Sequence, residues 1–154
     1  MTGDLRALRS LGELVERERG GGRALASVRR GEQYVAFVPT NIAVAVDSSV
    51  AVCLWDVDER IGGVCHFELP ADRAILALVK QMEAAGCDRR RLRAKLFGGA
   101  DARAGSDVGA RTVAAAEQVL EALDVPVLAR DTGGERPRKV AVHSDDFSVW
   151  VWRI

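Results

Sequence analysis

At 154 residues, with 22 Lys and Arg against 22 Asp and Glu, the chain has the length of one compact domain and no net charge. Nearly half of its residues, 48%, are apolar, and the balanced charge excludes a general electrostatic pull toward nucleic acid or an anionic membrane. No apolar run reaches the roughly 18–20 residues that cross a bilayer, and acids and arginines stand where a secretory signal needs an apolar stretch, so a cytoplasmic location is expected.

Residues 4–18 place Leu5, Leu8, Leu11, Leu14 and Val15 at three- and four-residue steps, which predicts an amphipathic helix. Gly12 weakens it by roughly 1 kcal/mol. Gly20, Gly21 and Gly22 then interrupt the chain, so residues 1–30 read as a helical extension on a glycine linker, with a second helical turn over Arg23–Arg29. The main domain is expected over residues 31–154. From Tyr34 the pattern turns strand-like: residues 34–38, 42–46, 50–55 and 62–69 are short, rich in β-branched residues and separated by Pro39, Asn41, Asp47 and the Asp58-Glu59 turn.

Leu69-Pro70 closes that block. Asp72 is placed to cap a helix running to Ala85, with Ile75, Leu78, Val79 and Met82 on one face and Gly86 past its end. Residues 92–97 alternate as a strand and enter the loop Phe97-Gly98-Gly99-Ala100. Ser106 or Asp107 is placed to cap a second helix over 109–123, whose inner face is Val113, Ala116, Val119, Leu120 and Leu123. A strand follows at 125–129, then Asp131-Thr132-Gly133-Gly134 and a C-terminal hairpin turning around Asp145-Asp146. Two helices among about eight strands argue a mixed α/β layer structure, with the helices on a mostly antiparallel sheet system.

Several of these segments carry motifs. Residues 49–70 read S-V-A-V-C-L-W-D-V-D-E-R-I-G-G-V-C-H-F-E-L-P, with His66 after Gly62-Gly63. This resembles the signature of the CheD family, the chemotaxis proteins that deamidate receptor glutamines, in which G-x-G-S-C-V-A-V-C-L-x-D precedes G-G-x-x-H-x-x-L-P. Lys95-Leu96-Phe97-Gly98-Gly99-Ala100 is similar to the family's K-x-F-G-G-A. Gly109-Ala110-Arg111-Thr112 stands where the family has G-x-R-N, and Asp131-Thr132-Gly133-Gly134 with Arg138 is similar to D-x-G-G-x-x-x-R. The motifs occur in family order across about residues 31–153. The resemblance implies a three-layer α/β fold related to the cytotoxic necrotizing factor deamidase toxins. It also implies a chemoreceptor as partner and, in some members, a CheC-type phosphatase.

On that register the family's nucleophilic cysteine falls at Ser49 and its base at His66. The threonine that orients the histidine falls at Ala43, and the glycine two before the nucleophile falls at Asp47. The Gly98-Gly99 loop is placed at the substrate. Amide hydrolysis by this route needs an activated nucleophile, a base and oxyanion donors, and no cofactor or metal. A cysteine becomes a thiolate beside an imidazolium; a serine needs a base that takes its proton during attack, backed by an oriented third group. Three departures within seven residues point to a degenerate site with a regulatory or binding role. An active glutamine deamidase, an engineered Cys-to-Ser form of one, and a serine/histidine hydrolase stay open as alternatives. Asp101-Ala102-Arg103 occupies the place where family members carry apolar docking residues, which argues against CheC-type binding.

Other features read as structure. The three cysteines, Cys53, Cys65 and Cys87, show no C-x-x-C spacing and suit reduced thiols. Cys53 shares a strand face with Ser49 and reads as a core residue rather than a displaced nucleophile, while Cys65 points away from its neighbour His66. A metal site from Cys53, His66 and His143 lacks ligand spacing. His143 reads as a surface or half-buried residue. Arg89, Arg90, Arg91, Arg93 and Lys95 read as a solvated basic turn, without the interleaved aromatics of a nucleic-acid face. Trp55, Trp150 and Trp152 fall at packing positions on strands.

Overall fold

The computed structural model describes residues 22–154; the amphipathic segment 4–18 lies outside them. The described residues form nine strands and two α-helices, with a short 3-10 helix at Arg89–Arg91. The strands are β1 (Ala24–Ser27), β2 (Gln33–Ala36), β3 (Thr40–Val46), β4 (Val50–Asp56), β5 (Ile61–Phe67), β6 (Leu92–Gly98), β7 (Val127–Thr132), β8 (Arg138–His143) and β9 (Val149–Arg153). The helices are α1 (Ala71–Ala84) and α2 (Val108–Ala122).

Two sheets result. One has the order β1-β3-β8-β9 and the other β2-β5-β4-β6-β7. All pairs are antiparallel except β1 with β3 and β6 with β7. The five-stranded sheet is the middle layer, and the alternation along β4 shows why. Val50, Val52 and Leu54 join Ile75, Leu78, Val79, Met82 and Leu120 in one apolar cluster beneath the helices. Ala51 and Cys53 join Ile42, Val44, Val140 and Val142 in a second cluster between the sheets. A strand buried on both faces must be apolar at nearly every position, which is how the run V-A-V-C-L-W reads. The fold is therefore a three-layer α/β arrangement of helices, mixed sheet and mixed sheet.

Five details depart from the sequence-based expectations. Arg23–Arg29 is not a helical turn: Ala24–Ser27 form β1, a strand that pairs in parallel with β3. The edge of a sheet supplies backbone partners that an isolated turn lacks, and tertiary pairing overrides local propensity. Asp72 does not cap α1, because the helix already starts at Ala71 behind Pro70 and has no side-chain cap; the Asp72 carboxylate lies in the first turn, where it faces the positive end of the helix dipole. Neither Ser106 nor Asp107 caps α2 through its own side chain. Instead the Asp101 carboxylate reaches forward, accepting from the amides of Gly109 (2.8 Å) and Ala110 (3.1 Å).

The basic cluster is also not a uniformly solvated turn. Lys95 is buried, with Nζ donating to the Phe147 carbonyl at 2.6 Å and lying 4.6 Å from the centre of its ring. Arg91 pairs with the fully buried Asp56 carboxylate at 2.9 Å. Asp56 further accepts from the amides of Asp58, Glu59 and Asp88, which ties the β4–β5 turn to the 3-10 helix. His143 is buried rather than half-exposed: it packs against Trp150 with ring centres 4.4 Å apart, and its Nδ1 lies 3.2 Å from the Ser148 hydroxyl.

Candidate active site

Ser49 and His66 come together because β4 and β5 are antiparallel neighbours in register, with Ala51 opposite His66. Ser49 lies just before β4, on the same face as Ala51 and Cys53 by strand alternation. His66 shares that face of β5 with Val64, so both side chains enter the space between the two sheets. Cys65, one residue away, lies in the other cluster, beneath the helices. Both Cys53 and Cys65 are fully buried, and burial pushes the Cys65 thiol up to about 12 and the Cys53 thiol higher still. Neither is a thiolate at neutral pH.

Ser49 Oγ stands 2.6 Å from His66 Nε2. The same hydroxyl donates to Asp47 Oδ1 at 2.9 Å, and the Ser49 amide donates to that oxygen at 3.0 Å. A serine hydroxyl has one proton, and a carboxylate only accepts. The Asp47 contact therefore takes the Ser49 proton, and the short Ser49–His66 contact is satisfied when Nε2 carries a hydrogen and donates to Oγ. His66 Nδ1 is buried with no hydrogen-bond partner among the described residues. The Val28 carbonyl faces the ring without meeting hydrogen-bond geometry at Nδ1, so the contact with Ser49 decides the tautomer and places the single proton on Nε2.

The charges agree with this arrangement. Burial lowers the His66 pKa below its ordinary value, and Arg30 adds to that effect, while the Val28 carbonyl and Asp47 oppose it. Burial acts against ionisation of Asp47, but hydrogen bonds from Ser49 and the guanidinium of Arg30 outweigh it and hold the carboxyl below its usual range. At neutral pH the site holds a carboxylate and a neutral imidazole, with the serine proton directed to the carboxylate.

Ser49 is fully buried. The two residues before it reach a cleft of about 460 Å³ whose walls include Asp47, Ser48, Glu68, Asp101 and Arg103. Arg30 bridges Asp47 Oδ1 at 2.7 Å and Glu68 Oε2 at 3.1 Å.

Ala43 is placed differently from Ser49 and His66. Its β3 neighbours Ile42 and Val44 belong to the inter-sheet cluster, whereas Ala43 alternates with the exposed Ala45. A side chain at position 43 thus points to the opposite face of β3 from the space that holds the imidazole. Ala43 reaches the site through its backbone: its carbonyl accepts from the Val28 amide at 2.9 Å, fixing the segment whose carbonyl faces His66.

The Gly98-Gly99 loop lies directly against Ser49. The Gly99 amide donates to the Ser49 carbonyl at 2.9 Å, and the Ala100 amide donates to the Asp47 carbonyl at 2.8 Å. Gly98 and Gly99 adopt φ of 109° and 72°, a region favouring glycine. Arg138, almost fully buried, holds the loop from below by donating to the carbonyls of Gly98 (3.4 Å) and Gly133 (2.5 Å) and to Asp131 (3.0 Å). The D-T-G-G and Arg138 motif is thus a structural brace for the loop. The spacing of Asp101 from the α2 N-terminus, eight residues before Gly109, concealed its capping role.

Comparison with known proteins supplies the rest. The family model for CheD chemotactic sensory transduction matches residues 68–153, more than half of the chain. The chain is 40% identical over 147 residues to a probable chemoreceptor glutamine deamidase CheD 1 of Anaeromyxobacter dehalogenans, covering 86% of each chain. It is 35% identical over 141 residues to a probable chemoreceptor glutamine deamidase CheD of Sulfurimonas denitrificans, covering 80% of this chain and 90% of that one. A Clostridium acetobutylicum protein of the same description is 33% identical over 135 residues, covering 74% and 81%. With the motifs, the layered fold and these relatives in agreement, the chain belongs to the CheD family of chemoreceptor glutamine deamidases.

Proposed function

We propose that this chain acts in the cytoplasm as a binding or regulatory component of chemoreceptor signalling, and that it hydrolyses glutamine amides little or not at all. The observation that carries the reading is the Asp47 carboxylate seated on the Ser49 hydroxyl, which assigns the serine proton to that carboxylate. In a serine–histidine hydrolase the hydroxyl donates to a neutral imidazole, and the carboxylate stands behind that imidazole on its other nitrogen. Here the carboxylate of Asp47 is on the serine, at 2.9 Å, and His66 Nδ1 has no carboxylate behind it. A carboxylate held below its usual pKa is a poor base for a hydroxyl, and its charge opposes a developing oxyanion. Loss of the activated nucleophile costs on the order of 10⁶-fold in other hydrolases.

A chemoreceptor is the favoured partner because the relatives are described as chemoreceptor glutamine deamidases. Docking of a CheC-type phosphatase is disfavoured by the exposed Ala102 and Arg103 at the place where apolar residues would serve. The competing reading, an active deamidase using Ser49 and His66 or a cysteine enzyme altered at one position, is favoured by the 2.6 Å contact and by the Val28 carbonyl that faces the ring.

The two readings separate when purified protein is mixed with the soluble part of a chemoreceptor bearing glutamines at its modification sites. Co-sedimentation without ammonia release is the expected outcome. Ammonia release that disappears in His66→Ala would overturn the proposal.

A further inference from the structure

We propose that Asp47 is the positioning residue that closes this site, acting as a gate that captures the proton donor at position 49 and bars its access to the cleft. The inference rests on the reading of a degenerate site and assigns the closure to one side chain. Ser49 is fully buried although Asp47 and Ser48 both line the adjoining cleft. Its two polar hydrogens, on the amide and on the hydroxyl, both point to Asp47 Oδ1. The backbone of residue 47 is pinned by the Ala100 amide, so opening requires the side chain to move. That side chain is tethered by Arg30, whose other arm holds Glu68.

Asp47, His66 and Arg30 are the charged and titratable groups facing position 49, with Glu68 behind Arg30. A thiol placed at 49 would meet the same carboxylate. Like charge disfavours the thiolate, and the covering side chain excludes a reagent from the sulfur. Glycine at position 47 removes both effects and leaves His66 to support the thiolate.

The test is alkylation by iodoacetamide of Ser49→Cys, with and without Asp47→Gly, followed by mass spectrometry of the peptide containing position 49 across a pH series. Cys53, Cys65 and Cys87 are buried and give a separate internal reference. In the single variant the introduced thiol should react slowly, with an apparent pKa above the ordinary value of about 8.5. In the double variant the rate at neutral pH should rise at least about tenfold, the change in thiolate that accompanies one pKa unit, and the pH profile should move to lower pH.

Equal rates and profiles in the single and double variants, with thermal unfolding showing both folded, would overturn the proposal. Ammonia release by the unaltered protein would instead overturn only the reading of a degenerate site, since alkylation judges the gate independently.

Discussion

Replacing Gly98 with alanine separates a structural loop from a ligand surface. An alanine Cβ at this position would stand 2.3 Å from the Ser49 carbonyl oxygen and 3.0 Å from Val46 Cβ. The backbone φ of 109° adds strain of about 1–2 kcal/mol for a residue with a side chain. The contact with Ser49 cannot be relieved by a rotamer, because both atoms belong to the backbone frame of paired strands, where Val50 lies opposite Gly98. Displacement of β6 against β4 is an overpacking cost of about 1–3 kcal/mol. The sum is about 3 kcal/mol, which for a chain of this size lowers the melting temperature by about 6–12 °C. Urea unfolding with the midpoint and slope both fitted measures it directly. A Gly98→Ala protein with unchanged stability but weakened receptor binding would refute the reasoning and make the loop a contact surface instead.

Ala43→Thr is expected to leave the titration of His66 unchanged in NMR, because the new hydroxyl faces away from the inter-sheet space; a shifted imidazole would contradict the assigned face. Since burial holds the folded-state pKa of His66 below its unfolded value of about 6.5, the unfolded chain binds the proton first. Stability from this group is therefore complete above pH about 6.5 and is lost as pH falls below it, by at most about 1.4 kcal/mol per pH unit. His66→Gln should flatten that part of the stability–pH curve, and an unchanged slope would exclude His66 as its source. Asp101→Ala removes the carboxylate from the Gly109 and Ala110 amides and should lower the midpoint of chemical denaturation. Ser106→Ala should cost less, and the reverse order would return the cap to the local sequence.

The layered architecture was legible in the sequence because its signals are strong and local. The apolar run at 50–55 marks a strand buried on two faces, and Ile75, Leu78, Val79 and Met82 mark one helix stripe. The pairing of Ser49 with His66 needed one further step, the antiparallel register of β4 and β5. What the sequence hid depends on partners distant in the chain. Residues 24–27 become a strand only through the edge of β3, and Asp101 becomes a cap only when its loop folds across the start of α2. Lys95 looks like part of an arginine-rich turn until Phe147, 52 residues away, supplies an acceptor and a ring. The departure at position 47 was visible as a lost glycine with an added charge. Its consequence, a carboxylate bonded to the very hydroxyl it flanks, required the turn geometry.

The direction of the Ser49 proton is reported most directly by the tautomer of His66. Two-bond proton–nitrogen NMR spectra distinguish the two ring nitrogens, and the chain has only two histidines, so His143→Gln assigns the signals. At neutral pH the hydrogen should reside on Nε2, with Nδ1 bare. A neutral ring carrying its hydrogen on Nδ1 would leave Nε2 to accept from the serine hydroxyl, restore an activated hydroxyl and contradict the account.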